Sequence, residues 1–118
     1  MKQFLIDRLK QLGFVEGKTL FLQGTLNPND PYPDTFVTFW VDSTDDNMHF
    51  ENATHSVDWS FSVILYSNDP AIVNTKPSEI YNGLKAVGFK PQGRGQDIVS
   101  DEPTHTGGAM DFVITEIL

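Results

Sequence analysis

The chain has 118 residues, 39% of them apolar, with nine Phe, two Trp and three Tyr. That is one domain's worth of chain with enough apolar material for a self-supporting core, which excludes global disorder. It has no cysteine, which excludes disulfides, thiolate chemistry and cysteine-ligated zinc, and its net charge of -8 sets it against phosphate backbones.

Residues 2–12 read as an amphipathic helix, with Leu5, Leu9 and Leu12 at helical spacing beside Phe4. Gly13 supplies the left-handed residue that ends a helix cheaply, and Phe14 folds back on the last turn. The N-terminus lacks the long apolar core of a signal peptide, and no apolar run approaches membrane-spanning length, so no membrane contact is expected. Thr19–Leu22 is a short apolar strand, followed by a loop over Gln23–Asp34 with Pro28, Pro31 and Pro33. Thr35–Val41 is β-branched and aromatic on both faces, as for a strand covered on each side. Ser43–His55 reads as an acidic loop. In Ser56–Tyr66 the residues Val57, Trp59, Phe61, Val63 and Leu65 alternate with Asp58, Ser60 and Ser62, a strand with one buried face.

Asp69-Pro70 then begins a turn that runs to about Asn74. A second helix is expected over Lys76–Val87, with Thr75 as its N-cap, Pro77 in its first turn, and Ile80, Leu84 and Val87 as its buried stripe. Gly88-Phe89 repeats the ending of the first helix. The likeness of residues 9–14 to residues 84–89 reads as two helices stopped by the same physics, with an internal repeat as the alternative. Lys90–Gly108 is a glycine-rich loop with a short strand around Pro91–Val99, and Gly107-Gly108 turns the chain into a last strand over Ala109–Ile117. Two helices among runs of strands give a single α+β domain over 1–118: a mixed or antiparallel sheet with both helices packed on it, and long loops.

The residue types that often mark chemistry fall into no catalytic pattern here. His49, His55 and His105 have Glu51, Asp101 and Glu102 nearby, but no pair has the helical spacing of a zinc site, so no metal is expected. Asp101-Glu102-Pro103-Thr104-His105 offers carboxylates beside an imidazole, but Ser100, Thr104 and Thr106 sit in no nucleophile elbow. Their alternative role is to bond backbone amides and fix an irregular loop. Gly93-Arg94-Gly95 lacks the Lys-Ser/Thr ending and the following helix of a phosphate loop. The reading is therefore of a protein that is not an enzyme and carries no cofactor.

Charge distribution says more than net charge. Between Thr19 and Thr75 there is no Lys or Arg, while Asp30, Asp34, Asp42, Asp45, Asp46, Glu51, Asp58 and Asp69 all fall there. Such a surface is a solubilising face, a mimic of DNA, or the lining of a channel through which DNA slides without sticking. Arg94 is the only positive side chain after Lys90, and is either solvated or paired with a carboxylate of a neighbouring subunit.

Tyr66-Ser67-Asn68-Asp69-Pro70, then Asn74-Thr75-Lys76-Pro77-Ser78-Glu79, then the Gly88-Phe89 helix end followed by Asp97 through Asp111, resemble the tail terminator proteins of long-tailed, non-contractile phages. These are also called tail completion, minor capsid or head–tail joining proteins. The likeness is concentrated in residues 57–118, and the first half matches in layout. It implies a virion protein assembled in the bacterial cytoplasm. Its subunits form a ring, expected to be hexameric, on the finished tail tube. The ring stops tube polymerisation and offers a docking surface to the head completion or connector protein. The implied partners are a second copy of the chain and the major tail tube protein, with DNA passing through the lumen without specific binding.

For subunit or tube contacts, Arg94, Asp97, Asp101, Glu102 and His105 are the candidates in the glycine-rich loop, and Asn29, Asp30 and Tyr32 those in the proline-rich loop. The alternative from another class is an acidic inhibitor or DNA mimic bound to a basic host or defence protein, supported by the base-free stretch.

Overall fold

The computed structural model describes residues 1–118 apart from 24, 27, 28, 51, 52 and 101, and describes 47–50, 53 and 54 by backbone alone. In chain order the elements are α1 (Lys2–Gln11), β1 (Leu20–Leu22), β2 (Thr35–Phe50), β3 (Ala53–Ser67), α2 (Pro70–Lys85), β4 (Lys90–Pro91), β5 (Gln96–Val99) and β6 (Thr106–Ile117). They build one mixed sheet in the order β1-β2-β3-β6-β4, with β5 also on β6. Only β1 and β2 run parallel. This is the expected α+β architecture.

Register fixes which side chains meet the helices. Val37 faces Leu65, Phe39 faces Val63 and Val41 faces Phe61 across β2 and β3. Val63, Phe61 and Trp59 in turn face Met110, Phe112 and Ile114 of β6. Because side chains alternate along a strand, these all lie on one side of the sheet. There they form a single core with Leu5 and Leu9 of α1 and Ile80 and Leu84 of α2, so both helices cover the same face.

Each helix ends on a glycine with positive φ, 108° at Gly13 and 103° at Gly88. In each, the following Phe amide bonds back five residues, Phe14 to the Leu9 carbonyl and Phe89 to that of Leu84, while the glycine amide bonds to Lys10 or Lys85. This is the Schellman geometry twice over, with the Phe buried both times. The likeness of residues 9–14 to 84–89 is thus a shared way of stopping a helix.

Three expectations are corrected. First, α2 is one helix from Pro70, not a turn followed by a helix capped at Thr75. The N-cap is Asp69, whose carboxylate accepts from the Ala71 amide at 3.0 Å, with Pro70 in the first turn. Thr75 lies inside and donates to the Ala71 carbonyl at 2.8 Å, and Pro77 is an interior proline. An interior proline normally costs a helix about 3 kcal/mol. Here the cap and the burial of Val73, Ile80 and Leu84 carry the helix through it.

Second, the acidic segment 43–55 is not a loop. Apart from residues 51 and 52, which are not described, it continues β2 and β3 as one long hairpin, pairing Ser43 with Ser60, Asp45 with Asp58 and Phe50 with Ala53. Aspartate is a poor strand former, but the register inherited from the buried half of the hairpin overrides local preference. A bulge between Val41 and Ser43 leaves Asp42 as the extra residue.

Third, the last strand begins at Thr106, so Gly107 and Gly108 are strand residues. Within the glycine-rich segment, Lys90–Pro91 and Gln96–Val99 are also paired to β6, as β4 and β5.

Candidate interaction surfaces

The two loops singled out from the sequence meet on the face of the sheet away from the helices. Phe36 is its centre, stacked on Tyr66 at 5.2 Å and met edge-on by Phe21 at 6.1 Å and Tyr32 at 5.2 Å. His105 closes the cluster, 5.5 Å from the Tyr32 ring. Its Nε2 lies 2.8 Å from the Pro33 carbonyl, which only accepts, so Nε2 carries the proton. Nδ1 then accepts from the Thr104 hydroxyl at 2.9 Å. Residues 36–39 are consequently buried on both sides, as their composition indicated.

His105 is only 7% exposed and both ring nitrogens are engaged, so it braces the two loops and does not itself meet a partner. Its hydroxyl–imidazole pair is spent on that brace. Replacing His105 with alanine is expected to cost about 2 kcal/mol, from two lost hydrogen bonds and the void beside Tyr32 and Phe36, read as a lower midpoint in urea unfolding.

Glu102 is exposed, while its backbone holds the turn: its amide donates to Ser100 Oγ at 3.1 Å and its carbonyl accepts from the His105 amide. Asn29 and Asp30 are exposed on the outer side of the proline-rich loop, whereas Tyr32 is half-buried in the cluster. Asp101 lies outside the described residues. A cavity of about 190 Å³ remains between the loops, lined by residues including Tyr32, Phe36, Thr38 and Val99.

Arg94 and Asp97 lie elsewhere, on the helix side. Gly93 and Gly95 have φ of 79° and 92°, and a Cβ on Gly95 would stand 2.7 Å from the Ala109 carbonyl. The two glycines therefore press this turn against β6 and leave Arg94 on its rim. Between the turn, β6 and the α2 face carrying Val73, Pro77 and Tyr81 runs a groove, seen as adjoining cavities of about 200 and 240 Å³ that share Pro77, Arg94 and Met110. Asp97 lines the next stretch, toward Pro70 and Asn74. Among the described residues, Arg94 forms no ion pair. Of the predicted residues, the structure thus joins Tyr32 with His105 and Arg94 with Asp97, in two separate places.

A third surface is acidic, as the base-free stretch suggests, but the residues that build it are chosen by the fold. Away from the helices, the sheet carries Asp42, Asp111, Asp45 and Asp58. Ser62 Oγ lies 2.6 Å from Asp42 and 2.8 Å from Asp111, one hydroxyl proton between two carboxylates. Asp42 also accepts from Trp40 Nε1 at 2.7 Å, and Asp58 from Thr115 at 2.6 Å. Asp45 is directly opposite Asp58 across the hairpin, a like-charge pair that destabilises an isolated sheet. The base-free composition announced the acids, but which face each takes depends on the bulge at Asp42. The α2 wall of the groove was hidden as well, because Val73 and Pro77 were read as parts of a turn and a first turn.

Among the described residues, no three His, Asp or Glu side chains stand where they could share a metal ion, and no helix is long and apolar enough to cross a membrane. Comparison with protein-family models and with curated proteins gives no match.

Proposed function

We propose that this chain is a structural protein of a long-tailed phage or prophage, a tail terminator that forms a ring at the end of the tail tube. The observation that carries the reading is that the motifs behind the resemblance build one unit. Asp69-Pro70 caps α2, Gly88-Phe89 ends it, and Asp97 through Asp111 forms β5, the His105 turn and the part of β6 that α2 and the groove share. The ring stops tube growth and presents its other side to the head connector. The protein acts without catalysis or cofactor, through contacts with its own copies, the tube protein and the head completion protein. Six copies at -8 each give the ring about -48 formal charges, a field that keeps DNA from adhering as it passes.

Negative-stain electron microscopy of the purified protein, alone and with assembling tail tubes, tests this. Six-fold rings, or tubes that stop growing with a cap at one end, support it. The absence of both rejects it. The isolated chain is expected to be largely monomeric at low salt, where its excess charge makes subunits repel, and to associate as salt rises. Sedimentation across a salt series checks this, and weaker association at high salt counts against it.

The four carboxylates on the open sheet face favour a second reading, an acidic inhibitor or DNA mimic. It predicts a monomer or dimer that binds a basic protein with steep salt dependence and has no effect on tube growth.

A further inference from the structure

The ring reading leaves open which surfaces meet. We propose that the acidic β2–β3 arm of one copy docks along β5 of the next, with Asp46, on the helix-side face of the arm, against Arg94 at the rim of the α2 groove. This rests on the ring reading and specifies its interface.

Three observations carry it. The first is charge. Arg94 lines the groove without an ion pair among the described residues, in a chain whose net charge is -8. Asp45 and Asp46 are both exposed on the arm; Asp46 pairs with Val57 and so shares the helix side with Arg94, while Asp45 beside Asp58 on the other face adds to the negative field there.

The second is backbone pairing. The outer edge of β2 pairs with β1 only over Val37–Phe39, so among the described residues no strand covers the edge from Val41 outward. Among the described residues β5 pairs with β6 alone, which leaves its far edge open too, with Val99 93% exposed on it. Open edges carry unpaired amides and carbonyls, and joining two of them continues the sheet from copy to copy.

The third is placement. The arm ends near Phe50 and Ala53, whereas β5 and the groove lie beside the part of β6 that pairs with Val63–Ser67. From Asp58, which is opposite Asp45, to Val63 a strand rises on the order of 17 Å, and β3 and β6 lie between the two edges. The two patches thus sit on opposite edges of the sheet and at different levels along it. They cannot meet within one chain, and a head-to-tail contact that closes by rotation requires this arrangement. Asp97 penalises an arm shifted toward it and so helps to set the register at Arg94. The docked pair is partly shielded from solvent, and salt weakens it less than it weakens the long-range repulsion between whole subunits.

The test compares the full chain with Arg94→Glu, with the arm variant Asp45→Lys/Asp46→Lys, and with an equal mixture of the two, by sedimentation at a salt concentration where the unaltered chain forms rings. All three positions are exposed, and circular dichroism melts verify that each variant is folded. Each variant alone is expected to associate at least about tenfold more weakly. In the mixture, like-for-like contacts set Lys against Arg94 or Asp against Glu. The mixed contacts set an unaltered arm against an unaltered groove and a Lys arm against the Glu of the altered groove, both complementary, so the mixture is expected to recover rings in which the two variants alternate.

A covalent check uses the absence of native cysteine: Asp45→Cys/Gln96→Cys, both on the face away from the helices, is expected to give an intermolecular disulfide ladder on oxidation. Rings from Arg94→Glu as strong as those of the unaltered chain, or no ladder, overturn the arm–groove contact and leave the ring reading standing. An unaltered chain that forms no rings, alone or with tubes, overturns both.

Discussion

Phe61→Ala is expected to lower the free energy of unfolding by about 3–5 kcal/mol, the largest single loss in this chain. Phe61 is fully buried at the middle of β3. Its register neighbours are Val41 on β2 and Phe112 on β6, so it sits where the two longest strand pairings and the helix layer meet. Its ring stacks on Trp59 at 6.0 Å and meets Phe89 edge-on at 6.2 Å. Phe89 is the residue that closes the Schellman ending of α2. Truncation therefore removes the transfer energy of a benzyl group and leaves a void lined by three aromatic rings, which do not relax easily into one another. A domain of this kind is held by roughly 5–15 kcal/mol in all, so much of its stability goes. Chemical denaturation should show a lower midpoint at an unchanged slope, with a fall in Tm on the order of 15 °C. Phe61→Leu should keep more than half of the loss from appearing. A Phe61→Ala protein within 1 kcal/mol of the parent would mean that the sheet and helix layers do not share one core.

The fold class was legible because its signals are local. Leu5 and Leu9 at helical spacing, the alternation from Val57 to Leu65, and Gly-Phe after each helix report burial and termination directly. The errors share a cause: tertiary pairing overrode local preference. Residues 43–46 carry two aspartates and lie outside the helix-covered core, so nothing in their composition marks a strand. They are strand because β3 holds them in register. Thr75 looked like a cap because Pro77 follows it, yet Asp69 six residues earlier is the better acceptor and begins the helix sooner.

The candidate surfaces were legible as residues but not as places. Arg94 stood out as a cation in an acidic chain and as a candidate for a subunit contact, but not as part of any surface. That it stands on the rim of a groove whose far wall is Val73, Pro77 and Tyr81 follows only from α2 packing over β6. His105 looked like a contact residue because it lies among polar neighbours, but the Pro33 carbonyl and the Tyr32 ring come from 72 and 73 residues away and bury it. The open-face carboxylates were all visible as letters. Their gathering depends on the bulge at Asp42 and on β6 lying next to β3, which brings Asp111 to Ser62.

Gly107→Val is expected to cost about 3 kcal/mol, at the upper end for overpacking, and to free β5 before the rest of the sheet unfolds. The glycine is not there for a turn, since it has ordinary strand geometry. It is there because both neighbours lie over it. A Cβ at Gly107 would stand 2.7 Å from Ile98 Cγ1 and 2.9 Å from Tyr66 Cε1. Those are its direct partners, Ile98 on β5 and Tyr66 on β3, so their side chains close over the glycine from both sides. Tyr66 cannot swing away cheaply, because its ring is stacked on Phe36 at 5.2 Å. Ile98 can, and with only four residues β5 is the weaker partner. The strand should therefore lift, and with it the turn that carries Arg94. Hydrogen exchange should show early loss of protection in 96–99 while β3 keeps its own. If the docking edge proposed above is right, ring formation should fail in this variant at temperatures where its core is still folded. Protection of β5 and β3 lost together would mean that the Gly107 contact holds the whole sheet rather than one edge of it.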